Sequence, residues 1–293
     1  MPVDTSESDF EAAIVDTLTD EDGEAVSDPS VEYQAGSFTP GGYRERDPGD
    51  YNRERCIIPG DLYDFIVATQ PEEWADLKEN IDGNPKRHLV QRVSKEIEKR
   101  GTLNVLRRGV NLYGCRFDLV YFEPSTGRNP DLQEKYRANV FSVVRQLPYS
   151  PSTGHTLDLC LFLNGLPLFT AELKNPLTGQ TFRDAIHQYR SDRDPREPFF
   201  EFGRCLAHFA VGSEEVHMTT ELKGEDTTFL PFNRGYDGGA GNPPSAHGHR
   251  TSYLWEQVWA RDSVLDLLQH FIATIEEIED GEPTGEEKLI FPR

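Results

Sequence analysis

The most informative part of the chain is residues 155–175, with the sequence HTLDLCLFLNGLPLFTAELKN. Two apolar runs flank Asn164-Gly165. This arrangement predicts a β-hairpin, because Asn-Gly readily adopts the positive φ angles of a tight turn. Burying a charge is costly unless the charge is paired or bound to a metal ion, so charged residues within these runs are candidates for a functional site. Three such residues interrupt the apolar pattern: Asp158, Glu172 and Lys174.

The geometry of the turn determines whether these three charges can meet. Glu172 and Lys174 are separated by one residue and therefore share one face of their strand. A plain two-residue turn would place Asp158 and Glu172 on opposite faces. An odd or bulged turn, such as three residues with Gly165 in a left-handed bulge, places all three charges on one face. We therefore predict an odd or bulged turn, with the two carboxylates roughly 5–8 Å apart at Cβ.

Carboxylates in this arrangement suit a divalent cation. Asp158 and Glu172 could bridge a Mg2+ ion at about 2.0–2.1 Å, with the backbone carbonyl of Leu173 as a third ligand. A bound ion of this kind polarises water and phosphate, which phosphodiester hydrolysis requires. Lys174 would contact the water or the phosphate as a cation. The same residues could instead form a structural salt bridge on an edge hairpin.

The acid-x-Lys triplet alone is a weak signal, since Lys78, Lys223 and Lys288 also follow an acidic residue at this spacing. The triplet at Glu172 differs from these because it ends an apolar strand and follows an aspartate on the preceding apolar strand.

Periodicity elsewhere predicts an α/β or α+β fold, a mixed sheet with helices around it. Phe10, Ile14 and Leu18 recur at helical spacing, and three helices are expected within residues 60–100, the last at about 87–99. Strands are expected at 105–110, 116–122, 141–147, 157–163, 168–173, 207–211 and 216–220. A helix is expected at 182–192, and a final amphipathic helix at 252–278.

Charge and composition limit the function classes. The chain has 51 acidic and 30 basic residues, a net charge of -21, so any contact with DNA is expected to be local and assisted by partners. The sequence has no apolar run of membrane-spanning length and no signal-peptide pattern, so a cytoplasmic protein without a membrane association is expected. The four cysteines form no CxxC pair, which argues against a zinc ribbon or a disulfide framework.

The hairpin and its neighbours resemble the nuclease domain of type I restriction endonuclease R subunits. The resemblance covers most of residues 100–275 and is far more specific than the triplet. The matching segments are Arg145-Gln146, Tyr149-Ser150, Leu157-Asp158, 161–165, 172–176, 178–180, Gln188-Tyr189, 192–194, 208–211, 218–220, 229–233 and 253–256.

The resemblance implies a PD-(D/E)xK restriction-endonuclease-like fold and assigns roles to individual residues. Asp158 and Glu172 match the metal ligands and Lys174 matches the catalytic lysine. The family also has a Gln-x-x-x-Tyr motif on the next helix. Gln188 fits this motif, whereas position 192 is Asp and Tyr189 lies next to the glutamine. A Glu on an early helix often lies near the metal in such folds, and Glu11 is the candidate here.

The resemblance also implies an organisation. Residues 1–50 would be an acidic N-terminal segment with one short helix, 51–100 a helical segment packed on the nuclease, 101–235 the nuclease core, and 236–293 a loop and C-terminal helix leading to a motor domain. No Walker A motif is present, so ATP is expected to act only in the motor domains outside this chain. Double-stranded DNA, the modification and specificity subunits, and the protein's own motor domains are the expected partners.

Two other functions remain open at this point. One is a stand-alone repair or recombination nuclease of the same fold, and the other is a non-catalytic acidic docking module. A row of basic residues after the lysine strand has two interpretations, contact with DNA phosphate or a solvated face paired with nearby acids. The row comprises Arg183, His187, Arg190, Arg193 and Arg196.

Overall fold

A seven-stranded mixed sheet forms the centre of the computed structural model, which describes residues 7–20, 41–124, 128–175, 179–245, 248–279 and 282–292. The strand order is β1-β4-β5-β6-β7-β8-β9, with β1 parallel to β4, β6 parallel to β7, and the other neighbours antiparallel. The mixed sheet with flanking helices confirms the predicted fold class. The strands are β1 (Arg44–Arg46), β2 (Val110–Leu112), β3 (Cys115–Phe117), β4 (Phe141–Pro148), β5 (Thr156–Leu163), β6 (Leu166–Leu173), β7 (Ala207–Val211), β8 (Val216–Thr219), β9 (Leu230–Pro231), β10 (Ala273–Glu279) and β11 (Glu282–Ile290).

Most of the helices on the N-terminal side begin at a proline. A proline at the first helical position lacks only an N–H that would have no partner within the helix, and its fixed φ suits the helix start. This feature is shared by α2, α3, α4 and α5. The helices are α1 (Glu7–Thr19), α2 (Pro59–Thr69), α3 (Pro71–Asn80), α4 (Pro85–Arg108), α5 (Pro130–Arg137), α6 (Phe182–Ser191) and α7 (Arg261–Asp266), with shorter helical turns at Pro48–Asp50, Pro198–Phe200, Leu254–Val258 and Leu267–Phe271.

The sheet is covered on both faces, which explains why β5 and β6 are apolar almost throughout. On β5, Leu159 and Leu161 belong to the larger core, whereas Cys160 and Phe162 belong to a smaller core on the other face. The larger core joins buried residues from Phe10 on α1 to residues beyond β11. The segments predicted at 1–50, 51–100, 101–235 and 236–293 all contribute residues to this core. The boundaries between these segments remain a prediction.

The strand predicted at 105–110 is wrong. Residues 103–108 form the last turns of α4, which contains a break at Gly101 (φ 73, ψ 159). Leu103 and Leu106 lie one helical turn apart and are buried. The strand predicted at 116–122 is also wrong in extent, because only residues up to Phe117 pair, in the small β2–β3 hairpin. A short segment with a few apolar residues fits a buried helix end as well as a strand.

The helix predicted at 252–278 is wrong beyond Phe271. Helical turns end at Phe271, and β10 then pairs antiparallel with β11, with Ala273 opposite Ile290. Within the helical part, Leu265 and Leu268 are buried, which fits the predicted amphipathic pattern. Within the part of the chain that the structure describes, no helix combines the length and apolarity needed to cross a bilayer.

Candidate functional site

The turn between β5 and β6 is tighter than predicted. Leu163 pairs directly with Leu166, and the two residues between them, Asn164 (φ 51) and Gly165 (φ 80), both have positive φ. This is a two-residue turn, and Gly165 is not the bulge residue. The prediction of a bulge at the turn is therefore wrong in position.

A bulge deeper in the hairpin supplies the odd residue instead. Phe162 pairs with Pro167 and Leu161 with Phe169, so Leu168 is the additional residue on β6. Pro167 has no N–H to donate to the ladder, and proline within a sheet is confined to edges, first positions and bulges. Beyond the bulge Leu159 pairs with Ala171, which sets Asp158 opposite Glu172. The predicted shared face is present.

Asp158 is almost fully buried and both of its oxygens are held. Its Oδ2 accepts a hydrogen bond from the backbone N–H of Leu173 at 2.8 Å, and its Oδ1 accepts one from Nε2 of Gln146 at 3.2 Å. The N–H and C=O of one residue in an extended strand point to the same side. The carbonyl of Leu173 therefore lies on the edge of β6 that faces Asp158.

Glu172 is completely buried and only half satisfied. Its Oε1 accepts a hydrogen bond from Nε of Arg193 at 2.8 Å and forms an ion pair with Nη2 at 2.7 Å. Its Oε2 has no hydrogen-bond partner among the described residues. Burial raises the pKa of Glu172 well above its ordinary value, and the nearby Asp158 carboxylate raises the pKa further, whereas Arg193 lowers it. A second positive charge at Oε2 would relieve both unfavourable effects.

Lys174 is the first residue after β6 and the third charged residue of the site. Its backbone N–H donates to the carbonyl of Val211 at 2.9 Å, which extends the parallel pairing with β7 and keeps Lys174 on the face of Glu172. The side chain is buried. The pKa of Asp184 is lowered by the backbone N–H of Thr181 and, to a smaller extent, by the charge of Lys174. The ammonium group therefore lies in electrostatic range of the first turn of α6.

Gln146 joins the site although its role was not predicted. It lies opposite Asp158 on β4, between the pairs Arg145–Leu159 and Leu147–Leu157, and has a positive φ of 48. Such a backbone conformation is strained for a residue with a side chain. Strain of this kind persists only where the surrounding structure imposes it.

The Gln146 amide bridges α1 to the site. Its Nε2 donates to Oε2 of Glu11 at 3.0 Å as well as to Asp158. The other oxygen of Glu11 accepts from Nε of Arg145 at 2.5 Å. The structure thus places Glu11 one side chain away from Asp158, with both of its oxygens hydrogen-bonded. A role for Glu11 as a metal ligand remains a prediction.

Gln188 and Tyr189 lie on α6, and neither forms a hydrogen bond with Asp158 or Glu172. Tyr189 is fully buried in the smaller core, and its hydroxyl shares a 2.7 Å hydrogen bond with Oγ1 of Thr170. Burial raises the pKa of this tyrosine well above its ordinary value. Gln188 is half-buried. Their catalytic roles remain predictions.

The predicted row of basic residues is not a continuous surface. Arg190 donates to the carbonyl of Thr227 through two nitrogens, and Arg193 is buried against Glu172. Arg183 is exposed, and Arg196 is exposed and paired with Asp194. Arg193 is therefore not part of a solvated face, and that interpretation is wrong for this residue. Its partner Glu172 is 21 residues away in sequence, and no local pattern indicates the pairing.

The donor set suits one divalent cation with oxygen ligands. No group of three or more His, Cys, Asp or Glu side chains within the described ranges is arranged to hold a metal ion. Two carboxylates and the Leu173 carbonyl remain. Mg2+ is usually bound by one or two carboxylates together with water and substrate phosphate, so this set is sufficient. The buried, unpaired Oε2 of Glu172 is the observation that favours such an ion.

Comparison with known proteins gave one family match. The family model described as type I restriction enzyme R protein N terminus matches residues 68–227, more than half of the chain. The matched region contains Asp158, Glu172 and Lys174, whereas Glu11 precedes it. A search of curated proteins found no match.

Proposed function

Because the chain belongs to the family of type I restriction enzyme R protein N termini, we propose that it is the DNA-cleaving module of such an enzyme, a Mg2+-dependent endonuclease. The observation that carries this proposal is the pairing of Asp158 with Glu172 across the bulged hairpin, with one oxygen of Glu172 buried and without a hydrogen-bond partner. Two carboxylates at the end of adjacent strands, followed by a lysine, supply the groups that phosphodiester hydrolysis requires.

Asp158, Glu172 and the carbonyl of Leu173 would hold the ion. When bound, Mg2+ supplies Lewis-acid polarisation of water and phosphate. The N–H of Leu173 and the amide of Gln146 fix the orientation of Asp158 before any substrate arrives. Lys174 places a positive charge beside the same face, where it would stabilise negative charge that develops on the phosphate in the transition state.

Double-stranded DNA is the proposed substrate. With a net charge of -21, the surface as a whole repels DNA, and attraction is confined to the neighbourhood of the site. Partners that hold the DNA are therefore part of the proposal: the modification and specificity subunits and the protein's own ATP-dependent motor domains. ATP has no proposed site within this chain.

Lysine substitution in the assembled enzyme tests the proposal. We expect Lys174→Ala to reduce DNA cleavage by about 100-fold or more while ATP hydrolysis is retained, because the lysine acts on the phosphate alone. Lys223→Ala is the matched control, since Lys223 lies in an identical acid-x-Lys triplet but is half-exposed and paired with Glu221. Cleavage by the Lys174→Ala enzyme at the wild-type rate would overturn the proposal.

The Arg193–Glu172 ion pair is the observation that favours the other candidate, a non-catalytic acidic module in which the charges are structural. Calorimetric titration of this chain with Mg2+ separates the two. Binding that is lost in Asp158→Ala and Glu172→Ala supports the nuclease, and heat changes no larger than those of dilution support the acidic module.

A further inference from the structure

Arg193 is a buried cation in direct contact with a proposed metal ligand. The residue follows α6, and its side chain is 5% exposed. Nε donates a hydrogen bond to Oε1 of Glu172 at 2.8 Å, and Nη2 lies 2.7 Å from the same oxygen as an ion pair. A charge-assisted hydrogen bond together with an ion-pair contact from one planar group holds the position of the accepting oxygen. The Glu172 carboxylate therefore has one engaged oxygen and one open oxygen.

The same guanidinium ties the two strands of the site together. Nη2 also donates to the backbone carbonyl of Thr156, at the beginning of β5, at 2.9 Å. The ring of Tyr149 lies beneath it, 5.5 Å from the centre of the guanidinium. Arg193 thus joins the start of β5 to the end of β6, the two places from which Asp158 and Glu172 project.

A lysine could not make this set of contacts. Its ammonium is a compact point charge on a flexible stem, whereas the guanidinium presents several donors in a rigid plane. An arginine here can hold Oε1 and the Thr156 carbonyl at the same time. The arrangement leaves Oε2, the oxygen without a hydrogen-bond partner in the described structure, as the free ligand atom.

We propose that Arg193 is a positioning residue for the metal site, which holds Glu172 so that Oε2 is presented to the divalent ion next to Asp158. This inference rests on the proposed function, because it requires that an ion binds there. Arg193 would contact neither the ion nor the DNA. Its effect on the ion passes through the Glu172 carboxylate.

Mn2+ affinity tests this role without requiring activity. The dissociation constant of Mn2+ for the 293-residue chain is measured from the electron paramagnetic resonance signal of the free ion. We expect Arg193→Gln to weaken Mn2+ binding at least tenfold. Arg193→Lys should weaken it less, because lysine keeps the positive charge but loses the rigid plane of donors. Arg196→Gln is the control, since Arg196 is 88% exposed and pairs with Asp194.

A thermal unfolding scan of each variant separates positioning from stability. Arg193→Lys keeps a cation beside Glu172. If Arg193→Gln does not fold, the Mn2+ dissociation constant of Arg193→Lys is compared with that of the wild type instead. Folded variants with the wild-type dissociation constant, or with tighter binding than the wild type, overturn the inference and leave the nuclease proposal intact. Failure of the wild-type chain to bind Mn2+ overturns both.

Discussion

Gln146 shows how a single residue can connect distant parts of the site. Its positive φ is unfavourable for a side-chain-bearing residue, yet its amide reaches Glu11 on α1 and Asp158 on β5. A glycine at this position would remove the strain together with the contacts, and an alanine would remove only the contacts. The two substitutions therefore separate the effects.

We predict that Gln146→Gly is more stable than Gln146→Ala by about 1 kcal/mol. This is the reverse of the usual order in a strand, where glycine is the less stable residue. Urea unfolding of both variants measures the difference. If alanine is equal to glycine or better, the backbone at residue 146 is not strained.

His208 gives the stability a pH dependence. It is fully buried, with Nδ1 2.8 Å from Oγ1 of Thr170, and burial lowers its pKa from 6.5 to about 3. Between these two values the unfolded chain binds a proton that the folded chain does not. The contribution is therefore complete above pH 6.5 and is lost as the pH falls towards 3, at about 1.4 kcal/mol for each pH unit.

His208→Gln removes this titrating group and keeps a side chain that can bond to Thr170. We expect the free energy of unfolding of the variant to fall less than that of the wild type between pH 7 and pH 5. Chemical denaturation at the two pH values gives the comparison. Equal losses in the two proteins would show that His208 is not buried in its neutral form.

The candidate site was predictable to the extent that its residues violate a local pattern. Asp158 and Glu172 interrupt apolar strands, and a charge in such a place is conspicuous. Arg193 and Gln146 interrupt nothing, because an arginine after a helix and a glutamine at a strand end are ordinary. Their importance arises from partners brought near by the fold, which a single sequence does not show.

The β5–β6 hairpin is the element that brings the acids together. Asp158 and Glu172 can share one face only if the hairpin contains a bulge. The structure contains a bulge, but at Leu168 rather than at the turn. Pro167 was the available signal, since a proline in a central strand implies a bulge at that point. The shared face of the two acids was therefore predictable from their proposed joint role in metal binding. The location of the bulge was predictable from Pro167.

Gly165 fixes this hairpin to α2. A Cβ there would lie 2.3 Å from the carbonyl oxygen of Ile58 and 2.9 Å from the backbone nitrogen of Leu62. Gly114 occupies the same place in the two-residue turn of the β2–β3 hairpin, with a similar φ of 85 and nothing within 4 Å of its Cβ position. The two glycines thus share the backbone conformation and differ in their surroundings.

We predict that Gly114→Ala costs about 1–2 kcal/mol of stability from the backbone alone, and that Gly165→Ala costs clearly more, because backbone atoms of α2 must also move. Urea unfolding of the two variants provides the measurement. Equal losses would mean that the turn does not pack against α2.

Local patterns failed where distant residues determine the element. Residues 103–108 contain only three apolar side chains, a pattern that also fits a strand, but they complete α4 beyond the break at Gly101. The segment from Ala273 was predicted as helix, but β11 supplies a pairing partner that its own sequence does not indicate. Both errors reflect tertiary context that overrides local preference.

At the scale of the whole molecule, one large core connects the predicted segments. Trp74 on α3 and Trp259 before α7 are both buried in it, together with Phe10 of α1. Segments that share a core lose their stabilising contacts together. We therefore predict that the chain unfolds in one cooperative transition.

Fluorescence and circular dichroism provide the test. The chain has three tryptophans, and Trp74→Phe leaves the two of the C-terminal region. We expect the urea midpoint from far-UV circular dichroism to coincide with that from fluorescence in the wild type, and likewise in the variant. Separate midpoints within one protein would show that the helical segment at 51–100 unfolds independently.

The most direct test of the metal site is a crystal structure of the chain soaked in Mn2+, with an anomalous difference map. We expect a peak between the Asp158 carboxylate and Oε2 of Glu172, near the carbonyl of Leu173. A map without a peak there, or a structure in which the side chain of Asp158 points away from Glu172, would contradict the proposed metal site.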